Sequence, residues 1–209
     1  IADKVGSDLI IATDPDADRV GVVARAKDGK FHTITGNQMG ALLIDYIITA
    51  YEETDTMPPL PYVVKSIVSS ELATKICDAH KVEMFNVLTG FKFIGEVIKN
   101  HEASGEGSYV FGFEESYGYL KGTYARDKDA VVAAMLICEM TAYYKAKGMT
   151  LSDALDACRV RCYHLKDYVN VGRNGVYNWL QGRAQPKALT LFRVLNLLGY
   201  TMEARIAGG

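Results

Sequence analysis

Three aspartates spaced two apart, Asp14, Asp16 and Asp18, stand between apolar runs in IIATDPDADRVGVV, residues 10–23. On an extended chain alternate residues lie about 6.6 Å apart, so the three carboxylates repel one another. A divalent cation relieves that repulsion, because hard ions take carboxylate oxygens. A calcium EF-hand loop shares the first three ligand positions but needs Gly sixth and Glu twelfth, where this chain has Arg19 and Arg25. A HAD-type nucleophile loop would carry Thr or Val where Asp18 stands, and a solvated acidic turn is the plain alternative. Arg19 directly follows the third carboxylate. A metal held by three aspartates beside a guanidinium makes a site for a phosphate oxyanion.

Such a loop needs a scaffold. Asp8 to Ala12, Val20 to Ala26 and Phe31 to Ile34 read as strands, with Lys27-Asp28-Gly29-Lys30 as a turn. Met39, Leu42, Leu43, Tyr46 and Ile47 recur at helix spacing after Gly36, up to the Asp55 to Pro61 loop. Strands are then expected at Tyr62 to Val68, Glu83 to Val87 and Tyr109 to Phe113, and helices at Ser70 to His80, Phe93 to Asn100 and Asp129 to Lys147. This alternation predicts an α/β fold, a mainly parallel sheet with helices on both faces and ligands at the strands' carboxyl ends. After Gly148 the pattern turns to short helical candidates, a small all-α segment.

About half of the 209 residues are apolar and the net charge is −2, as expected of a globular protein. The longest uncharged apolar run, Ala130 to Cys138, is far shorter than the roughly 20 residues of a bilayer span. No membrane partner and a cytoplasmic location are therefore expected. Cys77, Cys138, Cys158 and Cys162 form no metal-type pair and read as reduced packing residues. The chain opens at Ile1 directly on strand-like residues, as expected of a piece of a longer protein. From Ala157 onward eight basic residues face two acidic ones, a local +6 that leaves −8 on the first 156 residues.

DPDADR closely resembles the DGDADR-type magnesium loop of the α-D-phosphohexomutases, the phosphoglucomutase and phosphomannomutase superfamily, with Pro15 in place of the usual Gly. Three further stretches follow in the family's order: TGFKFIGE (Thr89 to Glu96), FGFEESYGY (Phe111 to Tyr119) and RDKDAVVAAML (Arg126 to Leu136). GNQMGALLIDY (Gly36 to Tyr46) is similar to the first helix of the family's third domain. The resemblance implies that Asp14, Asp16 and Asp18 hold Mg2+ next to a phosphoserine. It makes Arg19 and Lys92 catalytic, Lys92 through proton transfer. It assigns substrate binding to Thr89, Gly90, Lys92, Glu114, Ser116, Arg126 and Lys128, with Glu114 and Ser116 on the hexose 3- and 4-hydroxyls and Glu115 in support.

By this resemblance, residues 1–34 end domain 2, 35–150 form the sugar-binding domain 3, and 151–209 are a separate basic helical segment. The implied partners are glucose or mannose 1- and 6-phosphates, the hexose 1,6-bisphosphate, and mutase domains 1 and 4. Neither the T-x-S-H-N-P-type serine loop nor the R-x-S-G-T-E-P-type phosphate clamp occurs in the sequence, so the chain by itself is expected to be inactive as a mutase. Asn170 to Tyr200 resembles the helix-turn-helix of Cro and antitoxin-type regulators. That likeness implies DNA contacts by Arg173, Asn174, Tyr177, Asn178, Arg183 and Lys187; the alternative is an amphipathic helical cap. A DNA-binding regulator with a degenerate sugar-phosphate module is the second reading of the whole chain.

Overall fold

The structure is a computed structural model describing residues 1–162, with side chains through residue 159. The proposed helix-turn-helix and its six DNA-facing residues lie outside the described residues. Two compact units divide at Leu155, Ile1–Leu155 and Asp156–Gly209.

The first unit begins with an antiparallel sheet of β1 (Leu9–Thr13), β2 (Val20–Arg25) and β3 (Phe31–Ile34), in that order. On β2, Val20, Val22 and Ala24 are buried while the residues between them are half-buried, the alternation of a strand with one face on a core. Helix α1 (Gly36–Glu53) opens on a capping box: the Gln38 N–H donates to Thr35 Oγ1 at 3.3 Å and the Thr35 N–H to Gln38 Oε1 at 2.8 Å. Then follow β4 (Pro61–Ser66), α2 (Glu71–His80), β5 (Glu83–Val87), α3 (Phe91–Ser104), β6 (Ser108–Glu114), β7 (Gly118–Leu120), α4 (Ala130–Ala146) and α5 (Leu151–Cys162). In the second unit the described residues are the last turns of α5, where Arg159 pairs with Asp156 at 3.3 Å.

The second sheet runs β5-β4-β6-β7, parallel across β5, β4 and β6 and antiparallel at β7. Its central strands are buried on both sides, as two layers of helices require: Tyr62 to Ser66 on β4 and Val110 to Glu114 on β6. Tyr62 and Val64 pack with Phe91, Ile94 and Ile98 of α3 on one face. On the other face α1 comes close enough that a Cβ at Gly40 would lie 2.3 Å from the Phe113 ring. The α/β class and the helices on both faces are as the alternation predicted.

Four features differ from expectation. The first three strands form their own antiparallel sheet, because connections as short as 14–19 and 26–30 can join only antiparallel neighbours. β4 stops at Ser66 rather than Val68, and Ile67 and Val68, though apolar, turn out to solvent. β7, three residues opening on Gly118, is a strand that the sequence pattern does not announce. Cys138 is exposed, while Cys77 and Cys158 are buried.

The start of α4 carries a pH-dependent cap. Asp129 Oδ1 accepts the Val131 and Val132 N–H groups at 2.8 and 3.1 Å, and the Tyr124 hydroxyl donates to Oδ2. Burial raises the Asp129 pKa, but these hydrogen bonds outweigh it and hold it below the ordinary 3.8. A depressed folded-state pKa stabilises above the unfolded value and is lost as pH falls through the folded one. Asp129→Ala should cost about 1 kcal/mol at neutral pH. In urea melts the gap from the parent chain should narrow as the pH falls below the ordinary aspartate value.

Candidate active site and metal turn

The aspartate stretch is a turn rather than the extended chain expected. Ala17 takes a left-handed conformation at φ 56°, and its N–H donates to the Asp14 carbonyl at 3.1 Å. Asp14 Oδ1 accepts the N–H groups of Asp18 and Arg19 at 3.1 and 3.0 Å. The Arg19 N–H, against the opposing effect of burial, holds the Asp14 pKa below the usual aspartate value. Folding back in this way brings one carboxylate oxygen from each of Asp14, Asp16 and Asp18 within 4.8 Å of one another. Three convergent carboxylates with oxygen donors alone suit a hard divalent ion such as Mg2+.

Backbone contacts fasten this turn to the second sheet. The Val20 N–H donates to the Tyr117 carbonyl at 3.2 Å, the Ala130 N–H to the Ala17 carbonyl at 3.0 Å, and Arg19 pairs with Gly118 as an isolated β-bridge. The acidic turn therefore lies against both the FGFEESYGY segment and the start of α4. A side-chain tie reinforces it: Lys128 Nζ sits 3.1 Å from Asp18 Oδ2, 2.8 Å from Asp127 Oδ1 and 5.5 Å from the Phe91 ring centroid. Burial lowers the Lys128 pKa, but the hydrogen bonds to Asp127 and Asp18 outweigh it and keep it above the ordinary lysine value.

The loops at the carboxyl ends of β4, β5 and β6 meet next to this turn. Glu114 is buried, and its Oε1 accepts the Gly90 N–H at 2.6 Å, joining TGFKFIGE to FGFEESYGY. Gly90 is the N-cap of α3 at φ 121° and supplies no side-chain cap, so the helix end stays open toward Thr89 and Lys92. Lys92 and Arg126 share the wall of a groove of about 540 Å³ with Phe93, Glu96 and Lys99. Arg126 is anchored there by an ion pair to Glu102 and by donation to the Thr123 carbonyl. Arg19, Thr89 and Ser116 are exposed.

Sequence reasoning passed over Ser66, Ser69, Lys65 and Glu71 beneath these loops. Glu115 Oε2 accepts the Ser66 and Ser69 hydroxyls at 2.8 and 3.3 Å, clamping the β4–α2 turn to the β6–β7 loop. Lys65, fully buried, donates to the Ser69 carbonyl and to Glu71 Oε1, each at 3.2 Å. The clue was KSIVSSE, small hydroxyl residues directly after a β run, where a parallel sheet keeps its ligand loops.

The sequence pattern of the family described as phosphoglucomutase/phosphomannomutase, alpha/beta/alpha domain III, matches residues 35–161. The chain belongs to this family. A phosphoglucomutase of Staphylococcus epidermidis is 41% identical over 156 residues, which make up 75% of this chain and 28% of that protein. The chain thus spans little more than a quarter of the curated relatives it matches. Among solved structures, the phosphoglucomutase parafusin of Paramecium has the same fold, with a TM-score of 0.56 at 20% identity over 75% of this chain and 25% of its own. The N-acetylphosphoglucosamine mutase of Aspergillus fumigatus, solved with GlcNAc-6P and magnesium, gives 0.51 at 17% identity over 71% of this chain and 35% of its own. Among the described residues no helix is long and apolar enough to cross a membrane.

Proposed function

We propose that this chain is the metal- and sugar-binding part of a phosphoglucomutase, an enzyme that interconverts hexose 1- and 6-phosphates. Residues 1–34 contribute the end of domain 2 with its metal turn, and 35–150 the sugar-binding domain 3. One observation carries the reading: three convergent carboxylates are bolted, through Val20, onto the loop that holds Glu114 to Ser116 and, through Ala130, onto the start of α4. The 41% identity to phosphoglucomutases favours glucose phosphates over mannose phosphates.

Asp14, Asp16 and Asp18 would hold Mg2+, which when bound supplies positive charge beside a transferring phosphoryl group. Arg19, exposed beside them, binds phosphate oxygens with a planar guanidinium. Ser116 and the second oxygen of Glu114 orient adjacent sugar hydroxyls, while Thr89 and Gly90 shape the loop above α3. Lys92 holds or moves a proton at the reacting hydroxyl, and Arg126 and Lys128 balance phosphate charge. Phosphoryl transfer depends on positioning and charge stabilisation, so a chain without the serine loop and the phosphate clamp has half of the machinery.

Calorimetry tests this directly. The 209-residue chain should bind glucose 1-phosphate with an affinity that rises when Mg2+ is present, and a coupled assay should detect no turnover. Robust turnover would overturn the proposed inactivity, and absence of sugar-phosphate binding at millimolar concentration would overturn the site.

A further inference from the structure

The Asp18 carboxylate has two claims on it. It is one of the three convergent groups of the turn, and its Oδ2 already accepts a hydrogen bond from Lys128 at 3.1 Å. The ammonium is held in place: the Lys128 side chain is 12% exposed, and Asp127 Oδ1 grips the same nitrogen at 2.8 Å. Its stem lies across Gly118, where a Cβ would come within 2.3 Å of Lys128 Cδ and 2.8 Å of Cγ. The missing side chain at Gly118 is what lets the lysine lie along β7 and reach the aspartates.

We propose that Lys128 is a built-in counter-ion that competes with the divalent cation for Asp18 and so sets the metal affinity of the turn. Two cations sharing one carboxylate repel each other, and this repulsion is strong where both are partly shielded from water. When the ion takes Asp18, Lys128 keeps Asp127 and the face of Phe91, next to the open end of α3. Loading the metal thereby turns a cation from the aspartates toward the sugar loops. The inference rests on the assignment of the divalent ion to the aspartate turn.

Mn2+ serves as the probe, with free ion followed by electron paramagnetic resonance on the 209-residue chain, without sugar and at low salt. Lys128→Met should bind Mn2+ about three- to tenfold more tightly than the parent chain. Gly118→Ala keeps the charge but pushes the stem aside, and should shift affinity in the same direction. Equal or weaker binding by Lys128→Met overturns the competition. Tighter binding by Lys128→Met but not by Gly118→Ala also overturns it, because the effect is then general charge repulsion rather than contact. If Lys128→Met fails to melt cooperatively, Gly118→Ala alone decides. No Mn2+ binding by any of the three sinks the metal assignment itself, and the competition with it.

Discussion

Asp16→Asn should abolish measurable Mn2+ binding while leaving the melting temperature unchanged. The three aspartates are not equivalent. Asp14 also builds the turn, since its Oδ1 receives two backbone N–H groups, and Asp18 is tied to Lys128. Asp16 is exposed, and the fold does not lean on it. Changing its carboxylate to the isosteric amide removes one of three anionic ligands, and affinity at oxygen-ligand sites follows the ligand charge count. Loss of a mere supporting group at a metal site costs about 10- to 100-fold. Loss of a ligand should therefore cost at least ~100-fold. Unchanged Mn2+ titration in the Asp16→Asn chain would remove the turn from the list of metal sites.

Gly36→Ala should do the opposite, damaging the fold and displacing the Glu114 to Tyr117 loop together. A Cβ at Gly36 would lie 2.0 Å from the Glu115 carbonyl oxygen and 3.0 Å from the Tyr117 nitrogen. Both are backbone atoms, so the clash cannot be relieved by swinging a side chain. Either α1 retreats from the sheet or the Glu114 to Tyr117 loop moves, and that loop carries the Glu115 clamp and the Val20 contact. Overpacking of this kind costs about 1–3 kcal/mol. For a unit of this size that is a fall in melting temperature on the order of 3–12 °C. Glucose 1-phosphate binding should weaken in the same variant; a chain that melts as the parent does would show that α1 and the loop are not in contact.

The site was legible where chemistry is local. DPDADR shows its charge density within one short stretch, and the helix expected from Asp129 starts where Asp129 caps α4. The motif at 89–96 was recognisable through its resemblance to the family's loop. What stayed hidden depends on distance or on burial. Lys128 and Asp18 are 110 positions apart, and no periodicity reports that they meet. Lys65 lies in a run read only as a strand, yet β4 is in the middle of the sheet and its buried ammonium reaches the Ser69 carbonyl and Glu71. Ile67 and Val68 misled in the other direction, because apolarity predicts a strand whether or not a partner is present to pair with it. The left-handed Ala17 was hidden too, since that conformation is usually marked by glycine or asparagine.

β7 is three residues long and forms the outer edge of the second sheet. Open edges present unpaired N–H and C=O groups that any extended chain can join. Here the aspartate turn lies on that edge, with Arg19 bridged to Gly118 and the Val20 N–H spent on Tyr117. The turn that gathers three carboxylates thus also covers this edge through Arg19 and Val20. Deleting the turn should expose a template for aggregation in the same step that removes the proposed binding site.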